Sequence, residues 1–275
     1  MKRSCKELKG LSRQTLMGNY GLVILSYFLV QLIIGLAMTP FENQLNTYSE
    51  RTLLYEEVIS FPIFSLLAIF IIAMVSTALA AGVYAVHLNL ARGTKPSVSM
   101  IFSQLRCRPD RYIVVTFLLS LIGTVCVVPG TILCCMGIGL MTESTSTTTI
   151  GILVAGIALF IGGIVLCIFL SLRFSLTILL LVDHSDMGAI TSMKESFHLM
   201  KGNCGRFLYL SFSFIPMMLL VLLSFGIAAL WIQPYIEQVT CWFYLDVSGE
   251  IDRKQEEERR MEEEMGPVLS DEMFI

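Results

Sequence analysis

Long apolar runs alternate with short polar gaps along this chain. The runs cover roughly 20–39, 61–90, 112–141, 150–182 and 207–244, and each reaches the ~18 to 20 apolar residues needed to cross about 30 Å of hydrocarbon. The last run is too long for one helix of about 20 residues, and Ser224, Phe225 and Gly226 interrupt it near its middle. The pattern there predicts two helices, about 207–223 and 226–246, with Pro234 kinking the second. A single crossing followed by a segment lying in the interface is the alternative. The first reading gives an all-α fold: a polytopic membrane helix bundle of about six transmembrane helices in three hairpins.

The gaps carry a pattern of their own. KELKGLSRQTLMGNYG near the start and MKESFHLMKGNCGRF near the end both place a Lys-Glu pair upstream of Leu-Met and a Gly-Asn at the mouth of a membrane helix. PSVSMIFSQLRCRPDRY occupies the middle gap without the Gly-Asn. Gly18, Asp110 and Gly202 mark equivalent, equally spaced points, so each hairpin is expected to follow a short cytoplasmic amphipathic helix. In the third unit Ile190, Met193, Phe197 and Met200 share one face, opposite Lys194, Glu195, His198 and Lys201. Ser185 or Asp186 is expected to cap the start of that helix, and Gly202 its end.

Charge orients the bundle. Of 19 Lys and Arg residues, all but Arg51 and Arg173 lie before the first run, in the segments 91–111 and 183–206, or in the tail. Because positive charge is retained in the cytoplasm, those segments and both termini are expected inside, with 40–60 and 142–149 outside. The net charge of −3 hides this, since 11 of 22 acidic residues fall from Asp246 onward. The cytoplasmic loops are therefore basic and are expected to meet anionic lipid headgroups. The chain divides into a multi-pass membrane domain, 1–248, and a charged cytoplasmic tail, 249–275, helical or disordered.

Composition supports this reading. The chain is 55% hydrophobic and 15% charged, against about 25% charged for a soluble domain. The first run is expected to be a retained helix, because its apolar stretch exceeds that of a signal peptide and a charged segment precedes it. Small residues at Ser76, Ala78, Ala80 and Gly82, and at Gly151, Ala155, Ala158 and Gly162, are expected to form close helix seams, within one chain or at a homodimer face. Eight cysteines show no CxxC or Cys/His ligand spacing, so neither a disulfide framework nor a zinc site is expected.

Candidate chemistry is sparse. His87, His184 and His198 match no ligand spacing and read as capping or solvated residues, although two of them share a loop with Asp183, Asp186 and Glu195. No phosphate loop or nucleophile elbow is visible. Arg173 stands out, because a charge within an apolar run either faces the bundle interior or sits at the interface. Gly18 and Gly202 are expected to hold left-handed backbone. Pro234 frees backbone groups inside a helix, and Tyr235, with Trp231 and Trp242 near it, fills that kink or meets the interface through its hydroxyl.

The stretches SFHLMKGN, LSF, GIAALWIQPY and CWFYLD between Ser196 and Asp246, KELKGLSRQTLMGN near the start and LARG at Leu90 to Gly93 resemble the bacterial membrane family catalogued as domain-of-unknown-function family 975. The similarity runs from about Lys6 to Asp246. It implies a multi-pass protein of the bacterial cytoplasmic (plasma) membrane and transfers no catalytic residue. The expected role is a non-enzymatic envelope scaffold, regulator or adaptor without a cofactor. Its expected partner is the lipid bilayer rather than nucleic acid. The alternative is a transporter or lipid-handling protein with a polar site near Arg173.

Overall fold

The computed structural model describes residues 2–55, 62–143 and 146–265, and these form helices with no strand among them. In chain order they are α1 (Cys5–Leu16), α2 (Tyr20–Tyr55), α3 (Ile63–Ala91), a 3-10 turn η1 (Val98–Phe102), α4 (Ser103–Arg106), α5 (Asp110–Glu143) and α6 (Thr147–Phe174). Then follow α7 (Thr177–Asp183), α8 (Ala189–Leu199), α9 (Cys204–Phe212), α10 (Ile215–Leu223), α11 (Ala229–Val247) and α12 (Glu250–Met265). Five spans are long and apolar enough to cross a membrane: Tyr20–Glu50, Ile63–Ala91, Asp110–Met141, Thr147–Asp183 and Cys204–Leu223. The chain is a membrane protein built from helices.

Helix α11 is not among the five, because Gln233, Glu237, Gln238 and Asp246 lower its apolarity. Its surroundings explain that composition. Tyr235, Gln238, Val239, Cys241, Phe243 and Tyr244 are buried, and α11 packs against α1, α2 and α3. Polar side chains on α11 therefore find protein rather than lipid. The apolar flanks of α5, α6 and α10 are instead exposed, with Phe117, Val125, Val154, Val165 and Leu222 among the uncovered side chains. In a bilayer such flanks need no further cover.

The predicted break in the last run is present. Phe225 and Gly226 both take positive φ, +51° and +90°, between α10 and α11. Other boundaries differ from expectation. Helix α2 continues through Pro40 and the polar stretch beyond it as far as Tyr55, where residues 40–60 were expected to be an outer loop. This extension lies along the start of α3, with Phe41 and Phe64 rings 6.2 Å apart and Ser65 hydrogen-bonded to Gln44. Residues 56–60 of that expected loop lie outside the described residues, as do 144 and 145 of the second one.

Short helical segments precede α2, α5 and α9 as α1, η1 with α4, and α8. Their spacing corrects the expected repeat. Helices α2, α5 and α9 each begin two residues after a left-handed residue: Gly18 (φ +85°), Arg108 (φ +55°) and Gly202 (φ +81°). Arg108 takes the role assigned to Asp110, so the three points are not equally spaced. Helix α8 packs on the protein through part of its expected apolar face and two serines. Ser192, Met193, Ser196 and Met200 are buried, whereas Ile190 and Phe197 are exposed. Its N-cap is Gly188, without a side-chain cap from Ser185 or Asp186.

The tightest seam joins α5 to α6, and it uses different glycines from those expected. A Cβ on Gly130 would lie 2.5 Å from the backbone of Phe160, one on Gly137 2.9 Å from Leu153, and one on Gly156 2.7 Å from Cys134. Gly163 is pressed onto the Cys126 carbonyl. The seven-residue steps Gly130 to Gly137 and Gly156 to Gly163 keep these glycines on the facing sides of two antiparallel helices. Gly151 and Gly162 face open space instead. On α3, Ala78 and Gly82 are buried as expected, and Gly82 meets the backbone of Ile101 in η1.

Candidate functional site

Two polar constellations stand out, and both use residues far apart in sequence. The first is a layer of ion pairs at the end of the bundle that holds the chain's first residues. Arg206, at the start of α9, donates from Nη2 to Asp246 Oδ2 at 2.6 Å and to the Arg3 carbonyl at 2.5 Å. Asp246 also accepts from the Arg3 backbone N–H at 3.2 Å. Its side chain is 1% exposed, so its charge depends on these donors for compensation. The first residues, the start of α9 and the end of α11 are thereby tied at one point.

A second knot lies beside the first. Arg92, just past α3, makes a forked pair with Glu250 at 2.9 and 2.7 Å and reaches Asp183 at 2.7 Å. Tyr244 donates to Asp183 at 2.7 Å. Paired guanidinium and carboxylate groups stabilise each other's charged forms. The Arg92 guanidinium accordingly holds the Glu250 carboxyl below its ordinary value, while Arg92 is raised, first by Glu250. A cleft of 360 Å³ opens here, bordered by Arg92, Asp183, Tyr244, Glu250 and Lys254. Of the residues singled out from sequence, Asp183 and His184 are brought into this layer, His184 at the border of the cleft. Arg111, 3% exposed, closes it from the other side by donating to the carbonyls of His184, Ser185 and Met187.

The second constellation lies deeper. His87 of α3 is fully buried and faces two residues of α11: its Nδ1 is 2.7 Å from Gln238 Oε1, and its Nε2 is 3.3 Å from Glu237 Oε2. Gln238 Nε2 donates back to the His87 carbonyl at 3.3 Å. Gln233 donates to the other Glu237 oxygen at 3.2 Å. His87 therefore is neither solvated nor a helix cap, which corrects the reading from sequence. The signal for this site was present: Glu237 is an acid inside an apolar run, the same feature that singled out Arg173.

Arg173 is half-buried in the last turn of α6, away from that cluster. Its guanidinium stacks over Phe197 at 4.6 Å and Phe169 at 5.3 Å and donates to the Phe197 carbonyl at 3.4 Å. Ser196 returns a bond to the Arg173 carbonyl at 2.9 Å. It clamps α8 to the end of α6. The remaining candidates are also held by packing. Tyr235 is buried edge-on to Phe214, with Arg13 5.9 Å over its ring, and its hydroxyl has no hydrogen-bond partner among the described residues. Pro234 is buried beside it, and Trp231 is 53% exposed. Trp242, rather than Trp231, reaches the short helix, donating to Thr15 at 3.1 Å. Gly18 and Gly202 keep their left-handed turns in open space. Among the described residues no group of three His, Cys, Asp or Glu could hold a metal ion.

No curated protein and no solved structure matches the chain. One family model does, over residues 1–250, and its description is a protein of unknown function. The match takes in both polar constellations, from Arg3 to Glu250, and stops where the acidic helix α12 begins. The chain therefore belongs to the DUF975 family of proteins of unknown function.

Proposed function

We propose that this protein is a non-enzymatic scaffold, regulator or adaptor of the bacterial cytoplasmic membrane, with α11 as its sixth crossing and both termini in the cytoplasm. The observation that carries the reading is the ion-pair layer. Its arginines and acids are spent on one another, joining the first residues, the loops after α3 and α7, and the ends of α9 and α11 into one plate. Around that plate Lys6, Lys95, Arg106, Arg108, Lys194 and Lys201 remain exposed, a basic rim suited to anionic headgroups. The pairing of Arg206 with Asp246 supports six crossings, because the last apolar run then leaves and returns to the same side. Arg173 clamps a helix, which weighs against a transport site there.

The test is complementation in a strain lacking the gene. Across substitutions in the plate and in the bundle, rescue is expected to follow the amount of assembled protein in the membrane. A substitution such as Arg173→Gln that leaves assembly at the parental level yet abolishes rescue overturns this reading in favour of a chemical or transport site.

A further inference from the structure

We propose that His87 and Glu237 form a proton-binding site inside the bundle, a pair that holds one proton between α3 and α11. The hydrogen bonds around His87 fix the argument. Gln238 donates its amide N–H to the His87 carbonyl, so its oxygen is the atom turned toward the ring. A carbonyl oxygen only accepts, so Nδ1 carries a hydrogen. In a neutral imidazole Nε2 is then a lone pair, and it points at a carboxylate oxygen 3.3 Å away. Neither His87 Nε2 nor Glu237 Oε2 has a hydrogen-bond partner. Two lone pairs facing each other out of water repel, and a single proton placed between them turns this into attraction. It does so either as imidazolium with carboxylate or as imidazole with carboxylic acid.

The surroundings leave that proton to the pair. The titratable groups near Glu237 are Tyr27 from α2, Tyr84 from α3 and Cys241 from α11, all of which are ordinarily neutral near pH 7. From α1, Arg13 is directed to the Tyr235 ring. Beyond the end of α3, Arg92 is committed to Asp183 and Glu250. His87 lies five residues before Arg92, and Glu237 nine before Asp246, about 7 and 13 Å along their helices from the ion-pair plate. The side chain of Glu237 is 12% exposed at the bundle surface and that of His87 is sealed, so Glu237 is the member of the pair that a proton reaches first. The proton enters and leaves through Glu237, and no other bond is made or broken.

Nitrogen-15 NMR of the full chain in nanodiscs, labelled at histidine, tests this. Only three histidines contribute, and His87→Gln assigns the signal. The expected parental spectrum at neutral pH has a hydrogen on Nδ1 and a second, bound or shared, at Nε2. Glu237→Gln is expected to remove that second proton, because its amide can donate to a neutral Nε2 and keep the helices together. A parental His87 with its only hydrogen on Nε2 overturns the proposal without any variant. So does a neutral Nε2 beside an ionised Glu237 carboxylate, read from carboxyl carbon-13 spectra in which Glu237→Gln assigns the signal. Both readouts are taken on purified protein and are independent of its role in the envelope.

Discussion

The carboxylate of Asp246 and the guanidinium of Arg206 meet at 2.6 Å across 40 residues of chain, closing the start of α9 onto the end of α11. The carboxylate is 1% exposed and the guanidinium 18%, so neither is well solvated if its partner is lost. Removing one member of a buried pair typically costs about 3–5 kcal/mol, while removing both costs less. Asp246→Asn and Arg206→Gln are each expected to lower the thermal midpoint in detergent, and the double variant to recover part of the loss. Additive losses would show that the two residues act separately.

The α5–α6 seam makes a sharper demand. Gly163→Ala drives a methyl into the Cys126 carbonyl, and over-packing of this kind costs about 1–3 kcal/mol. Gly162→Ala, one residue away and facing open space, is expected to be neutral or slightly stabilising. Denaturation of the two variants side by side checks it, and equal effects would contradict the seam.

Gly202 has room for a side chain but the wrong backbone for one. Its φ is +81° and nothing lies within 4 Å of a built Cβ, so Gly202→Ala is expected to cost about 1 kcal/mol through strain alone. Gly202→Asn should cost less, since Asn tolerates this conformation. Tyr235→Phe, which removes an unpartnered hydroxyl, is expected to leave stability unchanged or raised, whereas Tyr235→Ala opens a cavity worth about 3–5 kcal/mol. Amounts of folded protein in the membrane provide the measurement.

The forked Arg92–Glu250 pair gives a pH dependence with a definite sign. Arg92 lowers the Glu250 carboxyl below its ordinary value of 4.5. A depressed folded value contributes stability above the unfolded value, and this is lost as pH falls through the folded one. Attachment of α12 is therefore expected to hold at neutral pH and weaken below about pH 4.5. A fluorophore at Gln255 reports it, and Arg92→Gln should erase the transition.

Orientation is open to direct labelling. In a cysteine-free background, an impermeant maleimide added from outside is expected to reach a Cys at Tyr48 or Thr147 and to miss one at Ser99 or Gln255. Labelling of Gln255 from outside would remove the sixth crossing.

Features set by a residue's own backbone were legible from sequence. Gly18, Gly202 and the Ser224–Gly226 break need only local φ and local composition. Features set by a partner were not. Gly151, Ala155, Ala158 and Gly162 form a regular small-residue stripe, yet α5 meets α6 along Gly156 and Gly163, because the contact line depends on where the second helix lies. His87 and Gln238 are 151 residues apart, and nothing in the local pattern of α3 points to α11. Arg173 was visible as a charge out of place, but the Phe197 ring and carbonyl that it meets belong to α8, which the pattern of α6 does not specify.

The seam of glycines also fixes how the α5–α6 hairpin behaves as an object. Its backbones touch without an intervening layer of side chains, so there is little soft material between them to shear. Helix α5 spans 34 residues, about 51 Å, and the pair meets the rest of the chain through α3, α7, α8 and α9. With Arg111 bolted to the carbonyls at the root of α5, the hairpin is a stiff oar in a rowlock. Any tilt the hairpin takes up in a bilayer therefore moves both of its helices together.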